Sequence, residues 1–289
     1  MIKYLNLFRV KHWVKNFFIF IPLFFSSKFF ELENLKMTFY SFLAFSLVTS
    51  FVYIINDILD INYDKVHSEK KNRPIASGQI SIYKSLILGS ILLIIGLVSF
   101  YNLSIDALIF ASVYLFLNIL YSFKLKHFPI IDFMIISIGF VIRVFIGGEV
   151  NSIELSNLII IMVFLLSLFL AVSKRRDDVF EYEKTKVVNR KVVKKYSLAF
   201  MDKIISIISS VLIVSYLLFI TTNEVIIQYD FRLLFLSFFL VVMGVFRYNQ
   251  ITYVFNKSGS PIKILYSDRF LQIILTIWIF TFVYMIYLN

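Results

Sequence analysis

Asn56, Asp57, Asp60 and Asp64 crowd into one short stretch, Asn56-Asp57-Ile58-Leu59-Asp60-Ile61-Asn62-Tyr63-Asp64, that begins where an apolar run ends. If the helix of that run continues through the stretch, a turn of about 100° per residue puts Asp57, Asp60 and Asp64 within a sector of about 60°, with Asn56 beside them. Like charges this close, next to a low-dielectric region, are costly unless a cation bridges them. Hard oxygen ligands of this kind suit Mg²⁺ held jointly by the protein and a diphosphate. The chemistry is therefore expected at Asp57, Asp60 and Asp64, with Asn56 as a fourth metal ligand. The competing reading is a plain solvated acidic loop.

The same loop then turns basic, through Lys65, Lys70, Lys71 and Arg73-Pro74-Ile75-Ala76-Ser77-Gly78. Pro74 and Gly78 break a helix and permit close backbone approach, so the loop is expected to fold back on the carboxylates. Arg73 is the natural bidentate contact for diphosphate oxygens there. A second charged stretch, Lys174-Arg175-Arg176-Asp177-Asp178-Val179-Phe180-Glu181, also starts where an apolar run ends. Lys174, Asp178 and Glu181 share a helical face, which fits either ordinary pairing on a solvated helix or the far side of a site facing the first loop.

The elements that position these residues are membrane helices. Hydrophobic residues make up 60% of the 289, and nine apolar runs approach or reach the roughly 17 to 25 residues that span a bilayer. They run from Asn16 to Phe30, Met37 to Ile55, Ile82 to Tyr101, Ile105 to Tyr121, Phe128 to Gly147, Leu155 to Ser173, Phe200 to Thr221, Phe231 to Phe246 and Phe270 to Leu288. The expected fold class is an all-α integral membrane protein of nine transmembrane helices, forming a single membrane domain over residues 1–289. Lys3, Arg9, Lys11 and Lys15 precede the first run, but Ser26, Ser27 and Lys28 make a poor cleavage site, so that run is expected to stay.

The net charge of +11 is not read as a nucleic-acid footprint, because its distribution follows the membrane. With the N-terminus in the cytosol, every Lys and Arg except Lys28, Lys36, Arg232 and Arg143 falls in or beside the tail and the loops after helices two, four, six and eight. Nine spans then place Asn289 outside and both charged loops in the cytosol, at the inner membrane of the cell. The layout after helices two and six also suggests a weak internal duplication. Trp13, Tyr4, Tyr121 and Tyr266 lie near span ends and read as interfacial anchors. Cysteine is absent, which excludes disulfides, thiolate metal ligands and cysteine nucleophiles. His12, His67 and His127 form no recognisable triad. Arg143 stands alone inside the fifth run, either snorkelling, pairing helices or serving function.

These residues resemble the UbiA-type intramembrane prenyltransferases, whose first motif is Asn-Asp-x-x-Asp-x-x-x-Asp followed by Arg-Pro. Asn56, Asp57, Asp60, Asp64, Arg73 and Pro74 occupy its positions. The resemblance implies nine helices around a lipid-open cavity capped by cytosolic loops, with Mg²⁺ on the motif carboxylates. A closer likeness, over essentially the whole chain, is to the branch of decaprenyl-phosphate phosphoribosyltransferases. It rests on Trp13-Val14-Lys15-Asn16, Leu125-Lys126-His127, Ile142-Arg143 with Gly147-Gly148, Lys174-Arg175, Arg247-Tyr248, and Asp268-Arg269 with Leu271-Gln272. The usual second motif, Asp-x-x-x-Asp, is replaced by the more basic Lys174 to Asp178, although Asp177 and Glu181 keep an acid spacing.

What this likeness implies is transfer of 5-phosphoribose from phosphoribosyl pyrophosphate to a polyprenyl phosphate, with Mg²⁺ on the departing pyrophosphate and no strong general base. Lys15, Asn56, Arg73, Lys126, Lys174, Arg175 and Asp178 would bind the substrates. Two alternatives stay open: a classical prenyltransferase moving an isoprenoid to a lipophilic acceptor, and a membrane transporter. The spans largely lack the midplane charges and broken helices expected of a transporter. A homo-oligomer is compatible with the sequence.

Overall fold

The structure is a computed structural model, which describes residues 2–66, 70–186 and 191–288. His67 and Asn289 lie outside the described residues. Among the described residues the regular structure is all helical, and eight helices are long and apolar enough to cross a membrane, which makes this an integral membrane protein. The chain divides into two compact units, Met1–Leu155 and Ser156–Asn289.

In the first unit, a short helix α1 (Ile2–Leu7) is followed by a 3₁₀ helix over Val10–Phe20 and by α2 (Ile21–Phe25), then α3 (Leu32–Leu59), α4 (Ile61–Val66), α5 (Ile82–Leu103), α6 (Ile105–Phe123) and α7 (Ile131–Glu149). The first expected span, Asn16 to Phe30, is therefore not one α-helix. A left-handed Arg9 (φ 51°) opens the 3₁₀ helix, and Pro22 near the start of α2 has no N–H to continue its ladder. The 3₁₀ helix rises about 2 Å per residue, so with α2 it still reaches roughly 30 Å, about the thickness of a bilayer core.

Helix α3 is the centre of this unit, packed against α5, α6 and the 3₁₀ helix. Its 28 residues extend for about 42 Å, well beyond a bilayer core, which carries Asn56 and Asp57 past the hydrocarbon. Phe45, Val48, Phe100, Ala107, Ala111, Ile142 and Ile146 form the shared core. Two glycines set the close approaches. A Cβ on Gly96 of α5 would lie 2.8 Å from the Ala44 carbonyl oxygen, and one on Gly147 of α7 would run into the Ile19 carbonyl. Ser104 ends α5 and caps α6 through its hydroxyl, which accepts the Ala107 N–H at 3.2 Å.

The second unit holds α8 (Asn157–Thr185), α9 (Leu198–Ile220), α10 (Asn223–Gln228), α11 (Phe231–Tyr253), α12 (Pro261–Ser267) and α13 (Arg269–Val283), with a last turn of π-helix over Tyr284–Leu288. Helix α9 packs against α8 and α11, and α13 against α11. Ser197, Asp230, Ser260 and Asp268 cap the starts of α9, α11, α12 and α13 through side-chain oxygens, each opening a helix where the first backbone donors need partners. Like α3, α8 is too long for the bilayer alone. Its 29 residues carry Lys174 to Glu181 out on its last turns.

Candidate active site at the Asp-rich end of helix α3

The motif helix does not run on unbroken. Helix α3 ends at Leu59, Asp60 takes a non-helical conformation (ψ 6°), and α4 restarts at Ile61. The expectation of one continuous face bearing three carboxylates is corrected by this kink. Asp57 and Asp64, 3% exposed each, are drawn together. Asp60 points elsewhere, to Lys126 at 2.6 Å. Asn56 is half-buried, and its carbonyl accepts the Asp60 N–H at 2.9 Å across the kink.

Arg73 closes the pair. One of its guanidinium nitrogens donates to Asp57 Oδ1 at 2.9 Å and to Asp64 Oδ2 at 2.5 Å. The loop folds back for this purpose as its Pro and Gly suggest: Gly78 sits at φ 75°, the Ile80 N–H reaches the Pro74 carbonyl, and Ile75 and Ile80 are buried with Leu7 and Ile54. Lys126, expected to bind substrate phosphate, is buried on a 3₁₀ turn over Leu125–His127.

In the sequence Arg9 is one of several N-terminal bases and nothing marks it for the site. Its guanidinium grips both oxygens of Asp57 and lies over the Tyr53 ring, 4.9 Å from the centroid. A left-handed turn aims it there, and a ladder of hydrogen bonds fixes the segment that follows. Ser50 Oγ donates to the Phe8 carbonyl at 2.8 Å and accepts Trp13 Nε1 at 3.1 Å. Asn16 Nδ2 reaches Ser46 Oγ at 2.9 Å and Thr49 Oγ1 at 3.3 Å. Ser46, Ser50, Tyr53 and Asp57 recur at helical spacing along α3, so the polar stripe on an otherwise apolar helix was a readable sign that polar backbone packs there. Trp13 thus has a packing partner beyond its interfacial position, while Tyr4 receives the ammonium groups of Lys3 and Lys84 over its ring.

Arg143 neither snorkels nor faces the motif. At 4% exposed it donates to Asn16 Oδ1 (3.0 Å), the Gly139 carbonyl (2.5 Å) and Tyr114 OH (3.3 Å), among the rings of Phe45, Tyr114 and Phe140. It is the helix-pairing arginine, tying α7 and α6 to the N-terminal segment. Lys15, on the same segment, is half-buried, and His12 lies against Tyr53.

Could the motif hold a metal? Among the described residues no three acidic or histidine side chains come close enough to do so alone. Yet Asp57 and Asp64 already share one cationic nitrogen, and the donors are hard carboxylate oxygens of the sort Mg²⁺ selects. Because Mg²⁺ usually keeps several waters and takes only one or two carboxylates alongside phosphate oxygens, this pair fits it.

The second charged stretch, in the second unit, divides into two roles. Arg176 is buried and structural: it donates to Asp202 Oδ1 (2.8 Å), the Thr252 carbonyl (2.9 Å) and Asn256 Oδ1. Asp177 accepts the Ser258 N–H, and Gly259 passes so near that a Cβ would strike its carboxylate. Lys174 is exposed, and Arg175, 4% exposed, pairs with Asp178 one turn on at 2.5 Å. Further along, Arg247 holds Asp268 at 2.7 Å, and that guanidinium keeps the Asp268 carboxyl below the usual carboxylate range. Ser173 Oγ and Tyr248 OH are buried without a hydrogen-bond partner among the described residues.

Residues 18–257, which include the motif, Arg73 and both charged helix ends, match the UbiA prenyltransferase family. Similar proteins include the decaprenyl-phosphate phosphoribosyltransferases of Corynebacterium glutamicum, 28% identical over 97% of this chain and 85% of that one, and of Mycolicibacterium smegmatis, 29% identical over 83% and 77%. A solved UbiA homolog from Archaeoglobus fulgidus bound to GPP and Mg²⁺ superposes with a TM-score of 0.70, covering 98% of this chain and 99% of that one at 18% identity. Such a likeness speaks for the fold alone. With its carboxylate and arginine cluster at the end of a membrane helix and a family match over most of its length, the chain is a membrane transferase that belongs to the UbiA prenyltransferase family.

Proposed function

We propose that the chain transfers 5-phosphoribose from phosphoribosyl pyrophosphate to a polyprenyl phosphate, releasing pyrophosphate in a Mg²⁺-dependent reaction. The observation that carries the reading is Arg73 seated between Asp57 and Asp64, with Arg9 on Asp57. Paired carboxylates and guanidiniums of the kind that suit a diphosphate meet at one helix end, which supports the reading. The choice of a phosphoribosyl group is supported by the relatives that match most of this chain, which are named decaprenyl-phosphate phosphoribosyltransferases.

The chemistry Mg²⁺ would supply when bound is Lewis-acid stabilisation of charge on the leaving pyrophosphate. Asp57 and Asp64 are the residues that would hold the ion, with Asp60 and Asn56 at the rim once Lys126 turns to a phosphate. Arg73 would orient the leaving oxygens bidentately. The attacking lipid phosphate is already anionic, so no side chain must remove a proton from it. Lys15, Lys126, Lys174 and Arg175 are assigned to the 5-phosphate and the lipid phosphate. In this reading the N-terminal 3₁₀ segment counts as a ninth span, and the N-terminus and both charged helix ends face the cytosol of a cell whose inner membrane holds the protein, with the C-terminus outside. The lipid product would serve cell-envelope biosynthesis.

The test is to supply purified protein with labelled phosphoribosyl pyrophosphate and polyprenyl phosphate. Label appearing in the lipid with Mg²⁺, and not with EDTA, is expected. Consumption of a prenyl diphosphate in place of phosphoribosyl pyrophosphate would mean that the classical prenyltransferase reading is right.

A further inference from the structure

Three carboxylates of the motif meet three cations: Asp57 meets Arg9 and Arg73, Asp64 shares Arg73, and Asp60 has Lys126. The cluster is locally neutral before any ligand arrives. Asp57 is more than paired, since Oδ1 accepts from both arginines and Oδ2 from Arg9 Nε. Three of the roughly four lone-pair sites of this carboxylate are thereby taken, two of them by Arg9, so a metal ion gains full access to it only as Arg9 lets go.

We propose that Arg9 is an exchange counter-ion that makes metal and diphosphate binding mutually dependent, holding Asp57 while the site is unliganded and passing to diphosphate oxygens as the metal takes the carboxylate. This rests on the site reading proposed above. A divalent cation arriving alone must displace guanidiniums from a neutral cluster and leave them with no anion, in a setting only partly exposed to water (Arg9 14%, Arg73 25%). A diphosphate arriving alone meets arginines already occupied by carboxylates. When the two arrive together, each guanidinium exchanges one anion for another and each carboxylate exchanges one cation for another. The number of desolvated, unpaired charges then stays near zero.

Arg9 is built for such an exchange in a way the loop arginine is not. It sits at a left-handed backbone position, a conformation that a bulky non-glycine residue adopts only when its surroundings impose it. What imposes it is the ladder to α3 through Ser50, Trp13 and Asn16. Its guanidinium lies over Tyr53, a neutral face on which it can swing without losing its stacking partner. Because the coupling is thermodynamic, the factor by which diphosphate tightens the metal equals the factor by which the metal tightens diphosphate.

The experiment uses the detergent-solubilised full chain, Mn²⁺ followed by electron paramagnetic resonance, and labelled inorganic pyrophosphate. Mn²⁺ alone, pyrophosphate alone and the preformed complex are titrated, with correction for their association in solution. The wild type is expected to show coupling of about tenfold or more. Arg9→Met should bind Mn²⁺ alone more tightly than the wild type and show coupling reduced to a few-fold. Arg9→Lys, which keeps a cation without the bidentate grip, should fall between and serves if Arg9→Met fails to fold. Coupling unchanged in whichever variant folds, or a wild type that binds Mn²⁺ equally well with and without pyrophosphate, overturns the proposal. A control with both Asp57→Asn and Asp64→Asn separates the two levels. If it binds the complex as the wild type does, the site reading itself fails. If it loses the complex while Arg9 variants keep full coupling, only the exchange role falls.

Discussion

Asn16→Leu should lower stability by about 2 kcal/mol, and the loss should vanish largely when Arg143 is removed as well. Asn16 is 1% exposed, joined to Ser46 and Thr49 through Nδ2 and to Arg143 Nε through Oδ1. Leucine keeps the branching and heavy-atom count of asparagine with somewhat bulkier methyl ends, so the change is the loss of those bonds together with mild crowding. The two hydroxyls lose little, because Ser46 still donates to the Phe42 carbonyl at 2.7 Å and Thr49 to the Ser46 carbonyl at 3.0 Å. The cost falls on Arg143, whose Nε is left buried without an acceptor. Hydrogen bonds to charged groups are worth roughly 1.5 to 3 kcal/mol, and the added apolar contact of leucine offsets part of that. The double-mutant cycle with Arg143→Met should therefore return a coupling near 2 kcal/mol. Unfolding can be followed by tryptophan emission, since the chain has two tryptophans and Trp13 sits on the segment that Asn16 anchors. A coupling below about 0.5 kcal/mol would refute the reasoning that Asn16 and Arg143 act as one lock.

Other substitutions separate close packing from open space. Gly147→Ala should destabilise by about 1 to 3 kcal/mol, because its Cβ meets the Ile19 carbonyl and Pro22, whereas Gly244→Ala, whose Cβ clears Ile274 at 3.8 Å inside α11, should stabilise by up to about 1 kcal/mol; thermal unfolding of both decides it. Tyr248→Phe should be neutral or stabilising by up to about 1 kcal/mol, since its hydroxyl is buried without a partner, and a clear drop in melting temperature would contradict that. Arg176→Leu should loosen the turn between α11 and α12, seen as faster proteolysis or hydrogen exchange around Asn256, because it removes the donor that the Thr252 carbonyl and Asn256 Oδ1 accept from.

Much of the fold was legible because a bilayer leaves helices little choice: apolar length and loop charge mark spans in α3, α5 to α9, α11 and α13. The N-terminal segment was legible only as an apolar run. Its 3₁₀ path follows from contacts distant in sequence, Gly147 against Ile19 and the hydroxyls of α3, and no local pattern announces them. At the motif, residue types and the returning Arg-Pro loop were readable, but the kink at Asp60 defeated the helical-wheel argument. A wheel assumes regular dihedrals, and the salt bridge to Lys126 forms at the kink. Arg9 looked like one of several topology-setting charges, since in sequence it is far from Asp57 and only the folded ladder brings it there. Arg176 and Asp177 looked like part of a substrate loop and are instead anchors for the turn after α11.

The central claim is most directly tested by a structure determined with Mn²⁺ and phosphoribosyl pyrophosphate bound, using the anomalous signal to place the metal. The ion is expected directly bonded to carboxylate oxygens of Asp57 and Asp64, with Arg9 and Arg73 turned onto pyrophosphate oxygens. A metal bound away from both carboxylates, with Arg9 and Arg73 still paired to them, would contradict it.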